Sequence, residues 1–101
     1  MRLVVALIKP SEVESVRQAL AAVQVTRLTI CDAHGFELDA PEPLAQRTML
    51  EIAVNDDFVE RSVGAIAAVL AAGGDATSRV YLLPMLDAVQ VYRNVRGAEA
   101  V

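Results

Sequence analysis

Apolar residues run unbroken from Leu3 to Ile8 and stop at Lys9-Pro10. Such a run predicts a strand over Arg2 to Ile8 with both faces covered, and Pro10 ends it because proline brings no N–H to a ladder. The period then changes. Val13, Val16, Leu20 and Val23 recur at helical spacing, and Ser11 with Glu14 reads as a capping box ahead of them, so a helix is predicted over 12–23. From Val25 to Phe36 the pattern alternates, which predicts a second strand; Gly35 near its end permits a close backbone approach. Asp39, Pro41, Glu42 and Pro43 break the pattern and predict a loop over 37–46. Arg47 to Val54 reads as a third strand. Asn55-Asp-Asp57 offers caps, with Glu60 three residues after Asp57, for a second helix. Its apolar stripe is Phe58, Val59, Val63, Ile66, Val69 and Leu70, and Gly73-Gly74 is its stop. Val80 to Leu83 reads as a fourth strand closed by Pro84, and Val89 to Tyr92 as a short fifth. Residues 93–101 read as a loosely held tail.

The element order is βαβ followed by βαβ. Two right-handed crossovers of this kind give an α+β, ferredoxin-like βαββαβ sandwich: a four-stranded antiparallel sheet with both helices on one face. The other face also carries Leu and Val, so copies of the chain are expected to cover it. With 101 residues the chain is a single domain, 1–101.

Composition narrows the function classes. Hydrophobic residues make up 54% of the chain while aromatics make up 4% and Trp is absent, so the core is aliphatic. The formal net charge of −4 argues against nonspecific nucleic-acid binding, which needs a basic face. Cys31 is the sole cysteine, which excludes an intrachain disulfide and fits a reducing compartment. Met1 to Ile8 lacks the pattern of a signal peptide, and the apolar run Val63 to Ala72 is too short to span a bilayer. A cytoplasmic protein without membrane insertion is the expectation. There is no nucleophile–His–carboxylate set, no metal-ligand spacing and no Walker-type loop, so no enzymatic activity is expected.

Several segments in order resemble the PII signal-transduction family. They are Val-Ala-Leu-Ile-Lys9-Pro10, Val16-Arg17-Gln18-Ala19-Leu20, Val25-Thr-Arg-Leu-Thr29 and Gly35-Phe36. Arg79-Val-Tyr-Leu-Leu-Pro84, Asp87-Ala-Val89 and Arg96-Gly97 complete the likeness. The resemblance implies a homotrimer that binds adenine nucleotides in clefts between subunits. It also implies a signal passed to a transporter or enzyme by a loop after the second strand, here 37–46. Carried over by position, Leu7 and Ala53 would flank the adenine with Thr29 as its polar contact. Gly35, Phe36 and Arg47 would stand at the loop base beside the phosphates. The phosphate-side turn would be 73–79, with Gly73, Thr77, Ser78 and Arg79, the last in place of a family lysine.

This chain departs from the family pattern in three places. The 37–46 loop is about half the usual length; it has no Tyr to modify, and Leu38 and Asp39 replace the glutamine-containing sequence that helps hold 2-oxoglutarate with magnesium. Ala76 and Ser78 stand where glycines are preferred. Gln90 and Tyr92 replace two basic positions, while Arg93 should point to the opposite face. Fewer cations suit fewer phosphates, so ADP or AMP is expected ahead of ATP. The departures are similar to those of PII-like groups encoded beside bicarbonate transporters and carboxysome genes, which implies bicarbonate as a second effector and a target in carbon or nitrogen assimilation.

Two other readings stay open. A CutA-like structural trimer, linked to divalent metals and lacking a nucleotide site, would use His34 and Cys31. A regulatory module for a separate enzyme would bind an amino acid instead. The acidic residues Glu37, Asp39 and Glu42 would either solubilise the loop or dock it on a basic partner.

Overall fold

The computed structural model describes residues 1–36, 38–39, 41 and 44–101. Four strands form one antiparallel sheet: β1 (Arg2–Ile8), β2 (Thr29–Phe36), β3 (Leu44–Val54) and β4 (Arg79–Pro84), in the order β2-β3-β1-β4. Two helices, α1 (Val13–Ala22) and α2 (Val59–Ala72), pack together over one face, which makes the predicted ferredoxin-like sandwich. A small hairpin follows, β5 (Val89–Gln90) with β6 (Val95–Arg96).

Alternation along the strands sorts the side chains. Val4, Ala6 and Ile8 of β1 and Thr48, Leu50, Ile52 and Val54 of β3 are buried toward the helices. They meet Val16 and Leu20 of α1 and Val59, Ile66 and Leu70 of α2 in one aliphatic core. Ser62 lies inside that stripe, fully buried, where the sequence pattern had only apolar positions. Its hydroxyl donates to the Phe58 carbonyl at 2.7 Å, one helical turn back, which satisfies the buried group.

Both helices close with the same device. The N–H of Val25 donates to the Leu20 carbonyl and the N–H of Asp75 to the Leu70 carbonyl, each at 2.9 Å. Between them stands a left-handed residue, Gln24 (φ 68°) after α1 and Gly74 (φ 66°) after α2.

The predicted elements need four corrections. The strand predicted from Val25 begins at Thr29, because the left-handed turn at Gln24 carries Val25 into the core instead. The predicted 37–46 loop is shorter than its span: Leu44, Ala45 and Gln46 already pair with Phe36, Gly35 and His34. Of that loop, Glu37, Ala40, Glu42 and Pro43 lie outside the described residues. The capping boxes form elsewhere or not at all. The Glu12 carboxylate, not Glu14, turns back to accept the Lys9 N–H at 3.1 Å, while Glu14 pairs with Arg17. Asn55 makes no side-chain cap and donates to the Ala98 carbonyl at 3.1 Å. Last, the tail is tied down. Asp87 accepts from Arg96 and from the Ala88 and Gly97 N–H groups. The chain turns after Gln90, so Arg93 lies in the β5–β6 turn rather than on a strand.

Candidate functional site

The sheet face away from the helices carries six of the ten candidate residues. Cross-strand partners define its rows: Cys31–Met49–Leu7–Arg79, then Thr29–Glu51–Val5–Tyr81, then Ala53–Leu3–Leu83. Toward the other end, β3 runs past the last β1 partner, Thr48, and pairs only with β2. Arg47 opposite Ala33 and Ala45 opposite Gly35 therefore sit on a projecting two-stranded stem.

Leu7, Thr29, Gly35, Arg47, Ala53 and Arg79 all fall on this open face by strand parity, in three separate pairs: Thr29 with Ala53, Leu7 with Arg79, and Gly35 with Arg47. Thr29 and Ala53 are diagonal neighbours on β2 and β3, a separation of roughly 7–8 Å. Leu7 and Arg79 are direct partners on β1 and β4. Leu7 and Ala53 stand four residues apart in register, roughly 13 Å along the strands, so one ring cannot touch both within a chain. Phe36 has the opposite parity to Gly35; it is 64% exposed on the helix side and does not join the others.

The two arginines differ in setting. Arg47 lays its aliphatic stem over Gly35, where a Cβ would stand 3.5 Å from Cγ. Its Nη1 donates to the Gln46 carbonyl at 3.0 Å. Arg79 folds back on its own turn, Nη1 donating to the carbonyls of Ser78 at 3.0 Å and Ala76 at 3.3 Å. Neither forms an ion pair with another described residue.

In the 73–79 turn, Gly73 caps α2 and Arg79 is already the first residue of β4. Asp75, which the sequence reading passed over, organises the rest. Its Oδ1 accepts the Thr77 N–H at 2.8 Å, the Ser78 N–H at 3.0 Å and the Thr77 hydroxyl at 3.0 Å; Oδ2 accepts the Ser78 hydroxyl. Burial alone would raise the Asp75 carboxyl, but hydrogen bonds from Ser78, Glu12 and the two amides hold it well below the usual carboxylate range. Glu12 is the complement: burial and its hydrogen bond to Asp75 push its carboxyl up, against the Lys9 N–H. The spacing Asp75-x-Thr77-Ser78 is a turn signal that could have revealed this arrangement.

A cavity of about 240 Å³ opens at the far end of the sheet, lined by Gln24, Arg27, Ala53, Asn55 and Phe58 among others. Only Ala53 of the predicted residues touches it. The two residues of the metal-linked reading do not meet: His34 and Cys31 have opposite parity on β2, and no cluster of three metal-ligating groups occurs among the described residues.

The sheet order, the paired helices and the projecting β2–β3 stem define a ferredoxin-like domain with its polar chemistry on the open face and in one turn. The family described as "Nitrogen regulatory protein P-II" matches residues 1–95. This chain belongs to that family of regulatory proteins. The nitrogen regulatory protein GlnK1 of Methanosarcina mazei is 30% identical over 100% of this chain and 97% of its own length. The nitrogen regulatory protein P-II of Rhizobium etli is 27% identical over the full length of both chains. Among solved structures, Arabidopsis thaliana PII bound to citrate superposes with a TM-score of 0.86 at 26% identity, covering 99% of this chain and 91% of that one.

Proposed function

We propose that this chain is a homotrimeric, cytoplasmic signalling protein that binds an adenine nucleotide, ADP or AMP ahead of ATP, in clefts between its subunits. Bicarbonate is the second effector, and the 37–46 loop carries the state to a transporter or enzyme of carbon or nitrogen assimilation. One observation carries the reading: the candidate residues are divided between the two edges of the sheet. Thr29 with Ala53 and, roughly 20 Å further along the strands, Gly35 with Arg47 lie on the β2–β3 half, and Leu7, Arg79 and the 73–79 turn on the β1–β4 half. Two half-sites at opposite edges make a whole one where the β4 edge of one copy meets the β2 edge of the next.

The open face supports assembly. Tyr81 is 48% and Leu83 43% exposed, beside the half-buried Leu3, Val5, Leu7 and Met49. A contiguous apolar surface of this kind favours burial against further copies. The test is calorimetric titration of AMP, ADP and ATP, each with and without bicarbonate, alongside sedimentation. Heat of binding to a trimer is the expected result. A silent titration at millimolar ligand in every combination sinks the nucleotide reading.

A further inference from the structure

The 73–79 turn, read as a phosphate loop, has most of its backbone amides and both its hydroxyls already engaged. The N–H groups of Gly73, Gly74 and Asp75 are committed to the carbonyls of Val69, Ala71 and Leu70 at the end of α2. Those of Thr77 and Ser78, with both hydroxyls, are committed to the Asp75 carboxylate. Arg79 is engaged through Nη1 alone, with the carbonyls of Ala76 and Ser78. The pattern around Asp75 is the one a phosphate oxygen would receive: two adjacent backbone amides and two hydroxyls converging on one anion.

We infer that Asp75 is a built-in occupant of this nest and determines which phosphates the turn accepts. The inference rests on the nucleotide reading above only for the adenine part of the ligand. An incoming diphosphate must first expel the Asp75 carboxylate from four donors, and it meets two further sources of repulsion. The turn lies at the C-terminal, negative end of α2. The Glu12 carboxyl also stands over it, with Oε2 3.5 Å from where a Cβ on Gly73 would be. Adenosine without phosphate makes no such demand. The turn therefore discriminates against extended phosphate chains, and does so with its own side chain.

The experiment compares the wild-type chain with Asp75→Ala and Asp75→Asn, titrated with adenosine, ADP, ATP and inorganic pyrophosphate. Pyrophosphate and ATP are expected to bind Asp75→Ala about tenfold more tightly than wild type, the worth of one charge-assisted hydrogen bond network freed for the ligand. Adenosine is expected to bind all three proteins alike. Asp75→Asn keeps the acceptor without the charge and should fall between; it also decides the matter if the alanine variant does not fold. Tighter pyrophosphate with no adenine ligand bound by any protein would support the occupied nest and defeat the nucleotide reading. Pyrophosphate and ATP bound no more tightly by either variant would overturn the inference, and unchanged adenosine binding would then leave the nucleotide reading standing.

Discussion

The ends of the two helices have the same backbone and opposite destinations. After α1, the left-handed residue is Gln24 and the next, Val25, is only 6% exposed in the core. After α2, the left-handed residue is Gly74 and the next, Asp75, faces the turn and gathers its donors. One motif thus closes the hydrophobic core at one site and opens a polar loop at the other. The residue that follows the turn decides between them. The backbone hydrogen bonds to Leu20 and Leu70 are alike at 2.9 Å.

Exchanging that residue should give the largest effect. Val25→Asp would drive a carboxylate into the aliphatic core and cost about 3 kcal/mol or more, read as a collapse of the unfolding midpoint in urea. A Val25→Asp protein with wild-type stability would show that the first turn tolerates the second's chemistry. The left-handed positions give an intermediate and opposite pair. Gly74→Ala places a Cβ in left-handed backbone and should destabilise by about 1–2 kcal/mol. Gln24→Gly removes that same strain and should stabilise by about 0.5–1 kcal/mol, part of the gain being offset by the freer unfolded chain. Thermal unfolding of both variants checks the signs.

The smallest effect concerns the carboxyl pair. Asp75 is held below the usual range, so its contribution to stability is complete above the ordinary Asp value and is lost progressively as pH falls from there through its lower folded value. Glu12 is raised, so its penalty is absent in acid and sets in as pH rises through its folded value. Glu12→Gln should therefore stabilise by about 0.5 kcal/mol near neutral pH, and the gain should vanish near pH 4 where Glu12 itself is protonated. A gain that persists unchanged into acid would mean that Glu12 bears on the turn through packing rather than charge.

Much of the scaffold was legible in the chain. The run Leu3 to Ile8 predicted β1 to the residue, because an unbroken apolar segment with a proline behind it has few alternatives. The α2 stripe was legible too, apart from Ser62, whose burial depends on a hydroxyl bond within its own helix that no hydropathy pattern records. The turns were less legible. Nothing in the letters marks Gln24 as left-handed, since tertiary packing of Val25 imposes that conformation on a residue with no preference for it. The start of β3 was placed too late because Pro41 and Pro43 end their influence at Leu44. The ordered tail depends on Asp87 and Arg96, nine residues apart across strands only two residues long. Six of the ten candidate binding residues, placed by the family resemblance, share one face of the sheet because they have the same strand parity. Asp75 and Glu12 were missed because their partnership joins the α2–β4 turn to the β1–α1 turn, far apart in the chain.

The unsupported length of the β2–β3 stem turns geometry into mechanical advantage. From Ala33–Arg47 to Phe36–Leu44, four residue pairs extend beyond the end of β1, a lever roughly 10 Å long. Swinging it by about 10° at the Arg47 fulcrum would carry the tip about 2 Å. A small rearrangement where the Arg47 stem lies over Gly35 would thus be felt, magnified, by whatever grips the far end.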